Sequence, residues 1–188
     1  MALRRILKFP DPVLRQPTVA VGDVAAHKDL AKLVADMTDT MYASNGAGLA
    51  AIQVGDTRRL FIVDASIAGG AENDPPRVFI DPEISHLSPE TEQTEEGCLS
   101  FPGIYLDVKR SLKATIKATG LDGKRFELSA EGLFARALQH ENDHLTGKLL
   151  VDFAGPLKRQ MIKRKMEKLN RAELEGDGDD LDDAATAD

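Results

Sequence analysis

Between residues 28 and 43, Leu30, Leu33, Val34, Met37 and Met41 recur at intervals of three and four, which places one apolar stripe on a helix. Asn45-Gly46-Ala47-Gly48 interrupts that pattern, and its two glycines read as turn residues. From Arg59 the period shortens. Leu60-Phe61-Ile62-Val63 is a compact apolar run, a Gly/Pro-rich loop follows at 69–76, and Val78-Phe79-Ile80 is a second run. Over residues 112–118, Leu112, Ala114, Ile116 and Ala118 alternate with Lys113, Thr115 and Lys117, the period of a half-buried strand. Asp122-Gly123 supplies a tight-hairpin signal, and Phe126 and Leu128 alternate on the return strand. A second helix is predicted over 131–145, with Leu133, Phe134, Ala137, Leu138 and Leu145 as its apolar side and Gly147 just past its end. A third begins near Pro156, whose fixed backbone angle suits a first helical turn. Helix, strands, helix, helix, without regular βαβ alternation, predicts an α+β fold. There is no internal repeat and no sign of a second domain.

Composition bounds this picture without changing it. A chain of 188 residues with 42% hydrophobic content can bury one genuine core. No stretch approaches the roughly 18 apolar residues that span a bilayer, and the N-terminal segment has no apolar signal-like run. A single cysteine forms no internal disulfide, which suits a reducing compartment, so a cytoplasmic location is expected. The net charge of −7 is a property of one end. Residues 173–188 hold eight acids and no base; without them the chain carries 24 basic against 23 acidic residues. Residues 158–171 hold seven basic residues and Glu167 as the one acid. The chain is therefore expected to end in a basic helix, followed by an acidic tail whose composition predicts disorder.

The chemistry concentrates in His140-Glu141-Asn142-Asp143-His144. On the second helix, positions i and i+4 share a face, so both imidazoles can address one ion. Glu141 lies one residue on, close enough to handle a proton from a water at the metal. A catalytic site of this kind needs a third protein ligand. His27 and His86 stand in polar, loop-like surroundings and read as surface residues. Cys98, in Glu95-Glu96-Gly97-Cys98-Leu99-Ser100-Phe101-Pro102, is the better candidate, because an acidic, glycine-flanked setting suits a core cysteine poorly. A thiolate beside two imidazoles gives a coherent Cys-His-His site with a fourth position for water.

Three segments, Gly46-Ala47-Gly48-Leu49-Ala50-Ala51-Ile52-Gln53, Glu96-Gly97-Cys98-Leu99-Ser100 and His140-Glu141-Asn142-Asp143-His144, resemble in order and spacing the signature motifs of the peptide deformylase family. Pro10-Asp11-Pro12-Val13-Leu14-Arg15 and Leu145-Thr146-Gly147-Lys148-Leu149-Leu150 extend the likeness, which covers about residues 3–170. The resemblance implies antiparallel or mixed sheets packed around a central metal-binding helix, with a C-terminal helix, as one catalytic domain over residues 1–170. It implies hydrolytic removal of the formyl group from N-terminal formyl-methionine of nascent polypeptides, with release of formate. Cys98, His140 and His144 would hold one divalent ion, natively Fe²⁺ and replaceable by Zn²⁺, Ni²⁺ or Co²⁺, while Glu141 takes and returns the proton. The Gln53 side-chain amide and the Leu99 backbone N–H would stabilise the oxyanion. Gly46, Ala47, Gly48 and Gly97 would line the peptide cleft, and Leu99, Leu133, Ala137 and the aliphatic part of Arg136 the methionine pocket. Glu96 and Arg110 would form an ion pair bracing the cysteine loop, with a solvated surface pair as the alternative. Ala47 stands where the family usually has a larger aliphatic residue, and Tyr105 where it often has an arginine.

Two other readings are distinguishable. A zincin-type protease shares His-Glu-x-x-His but needs a downstream ligand, and no histidine follows His144; the nearest acid is Asp152. A ribosome- or RNA-binding module would use the basic helix at 158–171. That contact is also compatible with the enzyme, because the resemblance implies docking near the ribosomal exit tunnel through the C-terminal helix. Neither a membrane nor DNA is expected as a partner.

Overall fold

The first apolar stripe folds as α1 (Leu30–Ala43), with Leu30, Leu33, Val34, Met37 and Met41 buried. The structure, a computed structural model, describes residues 2–71 and 73–182, with 176–182 described by backbone alone. After Asn45, which takes a left-handed φ of 53°, the chain enters β1 (Gly48–Ala50) at once. Neither Gly46 nor Gly48 takes a left-handed φ, and crowding, described below, accounts for glycine at both. The two apolar runs become β2 (Leu60–Val63) and the start of β3 (Arg77–Leu87), a longer strand that carries His86, exposed, on a strand rather than in a loop.

A hairpin that the apolar pattern does not reveal follows: β4 (Thr91–Gly97) and β5 (Tyr105–Ser111). In β4 the fully inward position is occupied by Glu96, so hydrophobicity carries no period-two signal there. The alternating segment forms β6 (Lys113–Thr119) and the return strand β7 (Arg125–Glu131), joined at Gly123, whose φ of 77° suits a glycine turn. All pairings between these strands are antiparallel, in a five-stranded sheet ordered β1-β2-β3-β6-β7 and the separate β4-β5 pair.

Helix α2 (Gly132–Leu145) lies between the two sheets. Ala135, Leu138 and Leu145 enter a core built on Phe61 and Phe79, whose rings stack at 4.9 Å. Its other face buries Arg136, Gln139, Glu141 and His144. Leu133, expected on the apolar side, is 62% exposed and stands at the mouth of the cleft.

Helix α3 (Pro156–Asp182) docks through Ile162 and Met166 onto a core that includes Leu14, Phe101 and Val108. Its backbone is helical to Asp182, so residues 173–182 differ from the expected disordered tail; once nucleated on a docked segment, a helix adds one hydrogen bond per residue. Residues 183–188 of that tail lie outside the described residues. None of the described helices is long and apolar enough to cross a membrane.

Candidate metal centre

Cys98 follows the end of β4, where the Phe101 N–H donates to the Cys98 carbonyl at 2.8 Å and closes a tight turn. His140 and His144 project from successive turns of α2. One ligand atom from each of Cys98, His140 and His144 lies within 4.8 Å of the others. Cys98 Sγ and His144 Nε2 are 3.4 Å apart. Two donors held at roughly 2.3 Å and 2.0 Å by one tetrahedral ion stand about 3.5 Å apart, so this spacing fits a shared metal.

The orientation of His140 is set from behind. Its Nδ1 meets Glu96 Oε2 at 3.0 Å, which leaves Nε2 for an ion, the arrangement in which a carboxylate fixes a ligating imidazole. Glu96 also accepts from Arg110 Nε and Nη2 at 2.9 and 3.0 Å, and from Arg136 Nη1 at 2.7 Å. Arg110 Nη1 continues to Asp143 at 2.6 Å. Glu96 and Arg110 are each 6% exposed, which removes the surface-pair alternative. Burial opposes the Glu96 charge, but the His140 and Arg110 hydrogen bonds prevail and hold its carboxyl at about 2. Burial alone would lower the His140 pKa; hydrogen bonds to Cys98 and Glu96 raise it well above the ordinary value instead. His144 is pushed the other way, first by burial and then by the charge of His140. Two imidazoles and a thiol gathered this closely are a donor set that a divalent cation would occupy.

Glu141 is buried beneath β1, and its Oε2 has no hydrogen-bond partner. A Cβ on Gly48 would lie 2.6 Å from Glu141 Oε1, so glycine makes room for the carboxylate. Burial pushes the Glu141 carboxyl up to about 7. A group with that pKa can both accept and return a proton near neutral pH. Gln53, 1% exposed, is pinned by the backbone three residues before it: its Oε1 accepts from the Ala50 N–H at 2.9 Å. The amide nitrogen is thereby aimed at the centre, donating to Ser100 Oγ at 3.1 Å and lying 3.6 Å from Cys98 Sγ.

A cleft of about 550 Å³ opens over these groups. Gly46, Ala47 and Gly48 form one wall, Gly97 and Leu99 the other, and Leu133 and Ala137 the α2 side. A Cβ on Gly46 would lie 2.7 Å from Leu99 Cδ1, so this glycine too permits a close approach. Arg136 reaches the cleft, but its guanidinium turns inward to Glu96, the Val108 carbonyl and the Glu92 carbonyl. Pattern reading assigned no role to Asp143 or Ser100; Asp143 was visible within the histidine motif, three residues after His140 on the same helix face. Asp152, the nearest acid downstream of His144, instead pairs with Arg15 and accepts from the Leu149 N–H.

A family model described as polypeptide deformylase matches residues 3–160. The chain is 48% identical over 171 residues to a peptide deformylase of Stutzerimonas stutzeri, covering 91% of this chain and 98% of that one. It is 47% identical to a peptide deformylase of Acinetobacter baumannii, covering 91% and 94%. Among solved structures, a peptide deformylase from Legionella pneumophila superposes with a TM-score of 0.83 at 44% identity, covering 92% of this chain and 98% of that one. A peptide deformylase from Ehrlichia chaffeensis in complex with actinonin gives 0.83 at 34% identity, covering 91% and 99%. Matched by this family model over most of its length and by relatives at these identities and coverages, the chain belongs to the polypeptide deformylase family.

Proposed function

We propose that the chain hydrolyses the formyl amide of nascent formyl-methionyl polypeptides using a divalent ion on Cys98, His140 and His144, with Glu141 as proton carrier. Family membership makes it a hydrolase that removes the N-formyl group; the division of labour among residues is our reading of the geometry. The observation that carries this reading is the buried, unpartnered Glu141 Oε2 beside three ligand atoms that lie within 4.8 Å of one another.

A bound ion supplies Lewis acidity toward water and the formyl carbonyl. Glu141 accepts the proton of the attacking water and returns it to the departing amine. The Gln53 amide nitrogen, aimed by its own carbonyl contact with Ala50, donates to the developing oxyanion, and the Leu99 backbone N–H is its second donor. Glu96 keeps His140 in the tautomer that presents Nε2. The peptide lies extended between β1 and the end of β4, both edge strands, and seats its methionine against Leu99, Leu133, Ala137 and the stem of Arg136. Residues 1–170 act as one catalytic domain in the cytoplasm.

Mixed thiolate and imidazole donors accept Fe²⁺, Zn²⁺, Ni²⁺ and Co²⁺, and family likeness favours Fe²⁺ as the native ion. The basic stretch of α3 is the proposed contact with the ribosome near the exit tunnel. The test is formate release from formyl-Met-Ala-Ser by Fe²⁺, Ni²⁺ and Zn²⁺ forms. At least one form turns over on this account; silence in all of them would overturn it.

A further inference from the structure

The edge of the Arg110 guanidinium faces carboxylates: Nε and Nη2 donate to Glu96, and Nη1 to Asp143. Its face lies on the ring of Phe153, with Cζ 4.7 Å from the ring centroid. Lys148 reaches the same ring, its Nζ 4.1 Å from the centroid, and stands 3.9 Å from Asp143 Oδ1. Two cations thus share one aromatic ring and one carboxylate. The four residues come from β5, from the last turn of α2 and from the segment just beyond it.

The chain after α2 brings the ring to this place. The Lys148 N–H donates to the Asp143 carbonyl at 2.9 Å, which turns the chain back at the helix end. Arg15 donates to the Gly147 carbonyl at 2.9 Å and pairs with Asp152, whose Oδ2 accepts the Leu149 N–H at 2.8 Å. Leu150–Phe153 then forms one 3₁₀ turn, with Leu150 and Val151 buried and Phe153 half-buried. A ring here attracts the cation through its face and presents no acceptor. An oxygen in its place would compete with Glu96 for the guanidinium N–H groups, whereas the ring leaves them to the carboxylates. None of these four residues lines the substrate cleft; all four line a separate cavity of about 610 Å³.

We propose that Phe153 is a positioning residue for the metal centre. Its ring fixes the plane of Arg110, Arg110 fixes Glu96, and Glu96 holds His140 through the 3.0 Å contact at Nδ1. The role rests on the metal-dependent deformylase reading of the site. An arginine side chain has many rotamers, and removing the ring returns part of that freedom directly behind a metal ligand. Changing the partner of a ligating histidine commonly costs 10- to 100-fold in hold on the ion; Phe153 acts one contact further back, so about tenfold is expected. Because the ring touches neither substrate nor ion, it leaves KM unchanged.

The experiment follows loss of Zn²⁺ from the folded Zn²⁺ enzyme to excess chelator in wild type, Phe153→Leu, Phe153→Met and Phe153→Tyr. Proton NMR of the same samples reads the His140 Nδ1 proton, which the Glu96 hydrogen bond protects from exchange. Phe153→Leu and Phe153→Met keep apolar bulk without the ring face; each releases its ion about tenfold faster and broadens the His140 signal, with KM for formyl-Met-Ala-Ser unchanged. Phe153→Tyr, which keeps the ring, matches wild type in release rate and spectrum. A ring that serves packing alone would lower the urea midpoint in the Leu and Met variants and leave ion release from the folded enzyme at the wild-type rate; that result overturns the inference. So does a Phe153→Tyr enzyme that loses its ion as fast as Phe153→Leu. A wild type that retains no ion at all would instead strike at the metal reading itself.

Discussion

A Cβ built on Gly48 would meet Glu141 Oε1 at 2.6 Å and its Cδ at 2.9 Å, so this position is tied to the chemistry by space alone. Gly48→Ala is expected to leave the fold intact by circular dichroism and to lower kcat by about 10²-fold, because a displacement near 1 Å costs that much at a reacting centre. Gln53 is constrained as tightly by its Ala50 contact at 2.9 Å. Its replacement by alanine removes one oxyanion donor, with an expected loss of roughly 10²–10³ in kcat and little change in KM. Arg110 has a different kind of role. It neutralises the buried Glu96 and pairs with the partly exposed Asp143, so Arg110→Ala leaves the Glu96 charge buried with fewer partners. Urea unfolding of this variant should show a loss of about 3 kcal/mol, and a fully stable variant would contradict the buried-pair reading.

At the scale of elements, α2 is the joint of the molecule, with one face in the apolar core and the other bearing both histidines against the β4-β5 hairpin. The histidine spacing was legible because helix geometry is local: four residues return a side chain to the same face. The hairpin was not, because its inward positions include Glu96 and Arg110, which a hydrophobic pattern reads as surface. That illegibility has a functional cause, since those charges are inside to orient His140. Helix α1 performs a second service. Its Asp36 accepts from Lys32 at 2.7 Å, and from the Ala2 N–H and Arg4, tying the N-terminal segment down. The Lys32 hydrogen bond, with those of Ala2 and Arg4, outweighs desolvation and holds the Asp36 carboxyl at about 2, below its ordinary 3.8. A folded-state value below the unfolded one means that the unfolded chain binds the proton first. The Asp36 contribution to stability is thus complete above pH about 4 and lost as pH falls towards 2. Thermal melts across that window should flatten in Asp36→Asn; an unchanged acid slope would count against the clamp. For α3, truncation after residue 157 should abolish ribosome binding that is itself salt-sensitive, and unchanged binding would end that proposal.

For the molecule as a whole, the α+β class followed from the order of apolar periods, and the cleft from glycines whose purpose only the packing explains. Gly46 and Gly48 read as turn residues in the sequence, yet they are crowding glycines: each faces a side chain, Leu99 and Glu141 respectively, that comes from a distant part of the chain. By spacing Leu133 belongs to the apolar side of α2 and by family resemblance to the methionine pocket; it stands at the cleft mouth, because a binding surface and a core face share the same apolar composition. Long-range pairing is what a linear pattern lacks, and it is also what assembles Cys98 with His140 and His144. The most direct test of that assembly measures bound metal and formate release on the same preparations of wild type and Glu141→Gln. One ion per chain in both, with formate release from formyl-Met-Ala-Ser reduced by 10²-fold or more in the variant, about what loss of a positioned acid–base group costs, is the expected result. A Glu141→Gln protein that loses its ion, or that keeps its ion and still turns over at the wild-type rate, would contradict the assignment of Glu141 as the proton carrier beside a Cys-His-His metal.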